Sequence, residues 1–187
     1  TEALLLAGKT VVTTESKKAA FAQYPWAKQL QTLAQTVEHP LELGSLKVDV
    51  LWDSQWSDSL HTRGTPCNAY VVTTPEGVSV MTKGDINCGL QLYGWLSLLK
   101  QHGRQIDIFV GSPIYWRGVD VISEINELFS PLWLPGHAWE FGHRKAEQPK
   151  GNCAGFLQSW QIVHEATGSE HIQALSWGEW IDISAKK

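Results

Sequence analysis

The sequence predicts a single α/β domain, residues 1–187, in which helices cover the outer face of a mixed sheet. Apolar strands alternate with amphipathic helices along the second half of the chain, which is typical of a layered α/β arrangement. The first half has β-branched and leucine-rich segments joined by short turns, which fits further strands of the same sheet. The 187 residues, 43% of them hydrophobic and 18% charged, suffice for one domain with a proper core.

The elements of the first half follow from local signals. Residues 9–14, KTVVTT, predict a short β-branched strand, and a helix is expected to start at Glu15 behind a hydroxyl cap. Residues 24–37 predict a second helix that is interrupted by its proline. Residues 41–55 alternate between apolar and polar side chains, which predicts two strands that meet at a Gly-Ser turn.

The second half begins with a predicted hairpin over residues 67–83, whose two apolar strands meet at a Pro-Glu-Gly turn. Periodicity changes from two to about 3.6 after this hairpin, which indicates that helices and strands then take turns. The expected order is a helix over 90–103, a strand over 105–113, a helix over 120–131, a strand over 131–137, a helix over 156–168 and strands over 172–184.

Composition excludes several classes of function. The net charge is −4 and no cluster of Lys and Arg exceeds two in a row, which argues against nucleic acid or an anionic membrane as a partner. No apolar run is long enough to span a membrane. The widely spaced Cys67, Cys88 and Cys153 have no zinc-finger spacing, so reduced thiols and a cytoplasmic location are expected.

The start of the chain predicts either a processed protein or a fragment of a longer one. The first residue is Thr rather than Met, and the apolar run ALLLAG over residues 3–8 lacks the basic flank of a signal peptide. We therefore expect a domain that is N-terminally truncated or degenerate.

Candidate ligands stand where predicted strands end. Asp85 follows VMTKG, Ser112 follows IDIFVG, and His137 follows PLWLPG. Loops converge at strand ends in layered α/β folds, and ligands gather there. A carboxylate oxygen and an imidazole nitrogen both suit zinc, manganese or iron. A structural or solvated role for Asp85 and His137 is the alternative that the residue types leave open.

The order of these motifs resembles the later part of the metallo-β-lactamase fold, an αββα sandwich, over about residues 8–183. It is most similar to the metal-dependent hydrolases of the N-acyl phosphatidylethanolamine phospholipase D and ascorbate-lactonase types. The resemblance makes Asp85 a carboxylate that bridges two metals and His137 a terminal ligand. It implies zinc or another divalent transition metal as cofactor. The implied reaction is hydrolysis of an ester, lactone or phosphodiester, a small-molecule substrate, by metal-bound hydroxide.

The chain departs from the family at its remaining ligands. The motif His-x-His-x-Asp-His does not occur, and Gln55, Trp56 and Ser57 stand where relatives commonly have His-Trp-Ser. Gln replaces an imidazole ligand poorly. A catalytic zinc site normally takes about three protein ligands, so two do not close it. Either an N-terminal segment or a partner chain supplies the missing ligands, or the site binds no metal.

The substrate pocket is expected to include two further groups of residues. Tyr115, Trp116 and Arg117 lie in a loop that contributes to the pocket in relatives, and a guanidinium beside two aromatic rings suits a carboxylate or phosphate. Trp139 and His143 follow His137 closely. Packing for the tryptophans, pinning of the loop for Arg117 and solvation for His143 are the alternatives.

Two functions follow from these expectations. The first is a metal-dependent hydrolase domain whose metal site is incomplete within this chain. The second is a non-catalytic, degenerate member of the family that binds a ligand or assembles with another subunit, as a homo-oligomer or with a partner chain.

Overall fold

A computed structural model describes residues 1–32, 38–54, 67–83, 90–111, 121–135, 161–168, 172–173, 180 and 182. Its strands are β1 (Val12–Thr13), β2 (Gln31–Thr32), β3 (Leu41–Leu43), β4 (Leu46–Ser54), β5 (Cys67–Thr73), β6 (Ser79–Thr82), β7 (Ile108–Gly111) and β8 (Leu132–Pro135). Its helices are α1 (Glu2–Leu6), α2 (Glu15–Ala20), a 3-10 helix (Pro25–Gln29), α3 (Leu90–Gln101) and α4 (Val121–Phe129). Residues 161–167 are also helical.

The main sheet has six strands in the order β3-β4-β5-β6-β7-β8. The pairs β3–β4, β4–β5 and β5–β6 are antiparallel, whereas β6–β7 and β7–β8 are parallel. Consequently β4, β6, β7 and β8 all run in one direction. The parallel strands are joined through α3 and α4, as parallel neighbours require a crossover connection. The predicted mixed sheet is confirmed.

The residues of the turn between β5 and β6 explain why the sequence predicts this hairpin. Pro75 suits the second position of a tight turn because its ring fixes φ. The backbone N–H of Gly77 donates to the Thr74 carbonyl over 2.9 Å, and the N–H of Thr74 donates to the Val78 carbonyl over 2.8 Å. Gly77 has φ +86°, a conformation that a residue without a Cβ adopts readily.

One face of the sheet packs against α3 and α4 to form the main core. On α3, Leu92, Leu96 and Leu99 are fully buried at a spacing that places them on one side of the helix. The sheet meets them with Phe109 and Trp133, whose ring centroids are 4.6 Å apart. Further buried members of this core are Ala69, Val71, Met81, Ile106, Ile122, Ile125 and Phe129.

The other face of the sheet is covered in part by the N-terminal segment. Val12 of β1 packs against Val48 and Val50 of β4. Behind this contact, Leu5 of α1 and Leu30 form a second small cluster with neighbouring apolar side chains. The strands β1 and β2 pair in parallel as a separate two-stranded sheet. The N-terminal segment is therefore a second layer, on the face of the main sheet opposite α3 and α4.

One expectation about the elements needs correction, and another lies mostly outside the described residues. Residues 24–37 do not form a helix throughout, because the 3-10 helix ends at Gln29 and Gln31 then pairs with β1, its N–H donating to the Val11 carbonyl over 3.0 Å. Tertiary strand pairing thus overrides the local helical pattern. Of the final strands, the structure describes the parallel bridge between Ile172 and Trp133. Among the described residues no helix is long and apolar enough to cross a membrane.

Candidate functional site

Four strands of the main sheet end on the same side of it, and we call the side formed by these strand ends the carboxyl edge. It is the edge at which β4, β6, β7 and β8 end and β5 begins, since these four strands share one direction. Thr82, Val110 and Leu134 are direct neighbours across β6, β7 and β8 near this edge. The loops that leave the four strands therefore start close to one another, as expected for a ligand site of a layered α/β fold.

The ten predicted site residues all lie outside the described residues. In the sequence, each group follows a strand that ends at the carboxyl edge: β4 before the first group, β6 before Asp85, β7 before the Tyr-Trp-Arg loop and β8 before His137. The residues concerned are Gln55, Trp56, Ser57, Asp85, Tyr115, Trp116, Arg117, His137, Trp139 and His143. Within the described ranges, no group of three or more His, Cys, Asp or Glu side chains is placed to hold a metal ion.

On the face opposite α3 and α4, polar groups of β5 and β6 lie near the carboxyl edge. The amide Nδ2 of Asn68 donates to the Tyr70 hydroxyl over 2.9 Å. Because Asn68 is nearer to the start of β5, this contact draws the phenol towards the carboxyl edge. Tyr70 is the register partner of Thr82, whose side chain is exposed. Sequence reasoning missed this group, although Asn and Tyr alternating at the start of a strand were its signal.

On the helix-covered face, the carboxyl edge carries a buried lysine. Lys83 directly follows β6 and is 3% exposed. It continues the alternation of the buried Ser79 and Met81, so its side chain is on the same face as the main core. Sequence reasoning missed Lys83 as well. Its signal was the alternation of strand β6, which places Lys83 on the same face as Ser79 and Met81.

A buried ion pair lies on the helix-covered face of β4. The side chain of Asp49 is 1% exposed, and the Arg104 Nε lies 3.1 Å from its Oδ2 and 3.4 Å from its Oδ1. Burial raises the pKa of Asp49 above its ordinary value, while the charge and hydrogen bond of Arg104, and the charges of His102 and Lys47, lower it in part. This pair joins β4 to the loop after α3, and β4 is two strands away from β6 in the main sheet.

Solved structures with a similar backbone decide the fold. Igni18, a metallo hydrolase from the hyperthermophilic archaeon Ignicoccus hospitalis, is 15% identical with a TM-score of 0.56, over 95% of this chain and 70% of that chain. YhfI from Bacillus subtilis, a metallo-β-lactamase fold protein, is 10% identical with a TM-score of 0.54, over 89% of this chain and 62% of that chain. The chain has the metallo-β-lactamase fold. The resemblance read from the sequence is confirmed at the level of the fold.

A further neighbour with this fold is the isothiocyanate hydrolase from Delia radicum gut bacteria. It is 14% identical with a TM-score of 0.58, over 91% of this chain and 66% of that chain. This chain thus spans 62% to 70% of the length of these three structures. No protein-family model and no curated protein matches the chain. The metallo-β-lactamase fold is therefore assigned from structural likeness.

Proposed function

We propose that this chain is part of a metal-dependent hydrolase whose active site lies at the carboxyl edge. The observation that carries the proposal is the common direction of β4, β6, β7 and β8, since each is followed in the sequence by a predicted site residue. Strand direction alone brings the starts of these loops together, whatever the loops contain. Neighbours described as hydrolases share this backbone arrangement, which supports the reaction class.

In the proposed site, Asp85 and His137 hold a divalent transition metal, with zinc as the first candidate. Carboxylate and imidazole donors fit zinc, manganese or iron in kind. They do not fit in number, because a catalytic zinc site takes about three protein ligands. The remaining ligands come, in this proposal, from a segment or a partner chain beyond these 187 residues. At a site completed by those ligands, a metal would supply polarisation of the scissile bond and activation of water.

The other residues of the proposed site bind and orient a small-molecule substrate with an ester, lactone or phosphodiester bond. Arg117 pairs with a negatively charged group of the substrate, for which a planar guanidinium is well suited. Tyr115, Trp116, Trp139 and His143 line the pocket beside it. Gln55, Trp56 and Ser57 follow β4 and close the same edge, with the glutamine amide as a hydrogen-bonding group rather than a metal ligand.

On the face opposite α3 and α4, the Tyr70 hydroxyl is proposed to contact the substrate. It accepts a hydrogen bond from Asn68, so its own proton is available in another direction. A phenol held in this way donates to a substrate oxygen without first being oriented. The proposed pocket therefore combines groups from the loops with groups from the sheet itself.

The test compares metal binding and hydrolysis in matched variants of the full-length protein, together with any partner chain that supplies the remaining ligands. Asp85→Ala and His137→Ala should each lower the affinity for Zn²⁺ in calorimetry by about tenfold to a hundredfold, as expected when a ligand or its support is lost. Glu127→Ala and His39→Ala remove the same chemical groups from exposed positions and should leave it unchanged. Hydrolysis of ester, lactone and phosphodiester model substrates should follow the metal affinity. Absence of bound metal, with Asp85→Ala leaving all activity intact, would sink the proposal.

The second candidate is a non-catalytic module that assembles with another subunit. It is favoured by Gln55 in place of an imidazole and by the exposed leucines Leu43 and Leu46 on the β3–β4 hairpin, at the outer strand of the main sheet. An outer strand offers backbone groups for pairing with another chain. Sedimentation should then show a complex that Leu46→Glu weakens. A clean monomer at every concentration would count against this role.

A further inference from the structure

Helix α3 has an outer face that combines an exposed leucine with uncharged neighbours. Gly94, Leu98 and Gln101 are exposed on the side away from the sheet, and Leu98 is 41% exposed. Lys100 is the one charged residue in the sequence of this helix. Its Nζ lies 5.3 Å from the centroid of the Phe129 ring, so this charge is directed towards α4. The exposed leucine therefore stands among residues that carry no charge.

Gly94 lies in the interior of α3, and the described part of the fold gives no reason for a glycine there. A Cβ added at this position would meet no described atom within 4 Å, and the backbone is ordinary α-helix. Glycine is less favourable than alanine in a helix interior, by about fivefold in the folding equilibrium constant. A residue without a side chain on an exposed helix face allows a group from another chain to approach the backbone closely.

Gly94 and Leu98 are neighbours on this face, as a notch without a side chain and a protruding leucine. Four residues of α-helix advance about 6 Å along the axis and about 40° beyond a full turn, so the two positions adjoin. If two copies of α3 pack antiparallel about a two-fold axis at the level of Leu96, each leucine lies opposite the notch of the other copy. A two-fold interface requires this reciprocity, which a helix of unrelated sequence would not supply.

The distribution of charge also allows two copies to meet on this face. The net charge is −4, so two molecules repel each other wherever their acidic residues come together. The sequence of α3 contains no Asp or Glu, whereas the neighbouring helix α4 contains Glu124 and Glu127. Contact between two copies of α3 therefore avoids the cost of burying an unpaired charge.

We propose that α3 is the interface of a homodimer, in which two copies of this helix pack antiparallel and Leu98 of each enters the notch at Gly94 of the partner subunit. Each helix has 12 residues and is about 18 Å long, which gives a contact at the small end of protein interfaces. The dimer is therefore reversible, with a dissociation constant on the order of 10 μM. The interface is independent of the proposed metal site and separate from the outer strand β3.

Sedimentation equilibrium of the full-length protein in a chelator, from about 1 to 500 μM, measures this association. Gly94→Gln fills the notch and should raise the dissociation constant at least about tenfold. The same variant should unfold less readily in urea at about 1 μM, by about threefold in the unfolding equilibrium constant, because glutamine is the better helix former and the position is open in the monomer. A glycine that serves only the fold of the monomer predicts the opposite, lower stability with unchanged association.

Complementary charges test the antiparallel register. Leu98→Glu and Gly94→Lys should each raise the dissociation constant by more than about tenfold when the variant is alone, since each places a charge in the contact. An equimolar mixture of the two variants should associate about tenfold more tightly than either alone, because this register places the new carboxylate opposite the new ammonium. Leu46→Glu, a change of another exposed leucine on the β3–β4 hairpin, is the control and should leave the association unchanged.

Each outcome supports or overturns the interface. A monomer at every concentration overturns it, and so does a dimer that Leu98→Glu and Gly94→Gln leave intact. A dimer that Leu46→Glu weakens instead belongs to the outer strand β3 and overturns the role of α3. No gain on mixing the charged variants refutes the antiparallel register. All of these measurements are made without metal, so failure of the interface leaves the proposed metal site standing, and failure of the metal site leaves the interface standing.

Discussion

The ion pair between Asp49 and Arg104 offers the sharpest test of the energetics of this fold. The perturbation is Arg104→Met, which keeps much of the side-chain volume but removes the charge and both contacts to the carboxylate. Asp49 is then left without its closest positive charge on the helix-covered face of β4, where its side chain is 1% exposed. His102 and Lys47 are the other positive groups that act on it.

The structure sets the magnitude of this effect. Removing one partner of a buried ion pair costs about 3–5 kcal/mol, because the other charge stays buried and uncompensated. The Arg104 side chain is 29% exposed, so water enters more easily than in a fully closed site. We therefore expect a loss of about 2–3 kcal/mol in the free energy of unfolding, below the full range for a buried pair. A chain of this size should melt about 5–10 °C lower.

The pH dependence gives the reasoning a second check. Burial raises the pKa of Asp49 above its ordinary value of 3.8. The folded state then holds the proton more tightly than the unfolded state, so stability falls as the pH rises from 3.8 to the raised pKa and is level above it. Arg104→Met raises that pKa further. The deficit of the variant should therefore be largest near neutral pH and shrink in acid.

Urea unfolding monitored by tryptophan fluorescence at several pH values measures both effects. Asp49→Asn combined with Arg104→Met is the control, because it removes the uncompensated charge and should recover part of the loss. The reasoning is refuted if Arg104→Met stays within about 0.5 kcal/mol of the unchanged chain, the ordinary range for a surface substitution. A deficit that is constant with pH would show that the loss has a cause other than the charge.

Three further predictions concern packing and capping. Met81→Ala removes a fully buried side chain and should cost about 2–5 kcal/mol in urea unfolding, whereas Leu98→Ala, 41% exposed, should cost far less; equal losses would contradict the described core. Gly111→Ala places a Cβ 3.1 Å from the Phe109 ring and should cost about 1–3 kcal/mol, so an unchanged stability would exclude that contact. Thr14→Ala removes the cap of α2, a 3.1 Å hydrogen bond from the backbone N–H three residues on, and should cost about 0.5–2 kcal/mol, with Thr14→Ser restoring it.

The elements with strong local signals were predictable from the sequence. The β5–β6 hairpin could be predicted because Pro75 and Gly77 specify a tight turn between two alternating apolar runs. Helix α3 could be predicted because its leucines recur at helical spacing. The segment after Pro25 was not predictable, because Gln31 belongs to a strand whose partner is β1, where Gln31 pairs with Val12, 19 residues earlier, and local pattern carries no information about that pairing.

The sequence indicates where along the chain the proposed site residues stand, but not which side chains of the sheet itself lie near the same edge. Residues at strand ends could be picked out because turn residues follow apolar runs. The direction of each strand, which decides whether those ends share an edge, depends on long-range pairing and came from the structure. Lys83 was overlooked because a lysine is usually exposed, whereas in the structure this one is 3% exposed and its stem passes close to Gly111.

Among the described residues, Asp49 and Lys83 are charged side chains buried on the helix-covered face, and each requires groups that compensate its charge. Asp49 is matched by Arg104, a residue of the loop after α3, so this pair ties a helix end to the sheet and has a structural explanation. Buried pairs of this kind are often replaceable by apolar residues without loss of stability. A lysine on the same face costs as much to bury, and Lys83 directly follows β6, one residue before the Gly-Asp motif. Because Lys83 also takes part in an interaction within the fold, its burial has the same kind of structural explanation as that of Asp49.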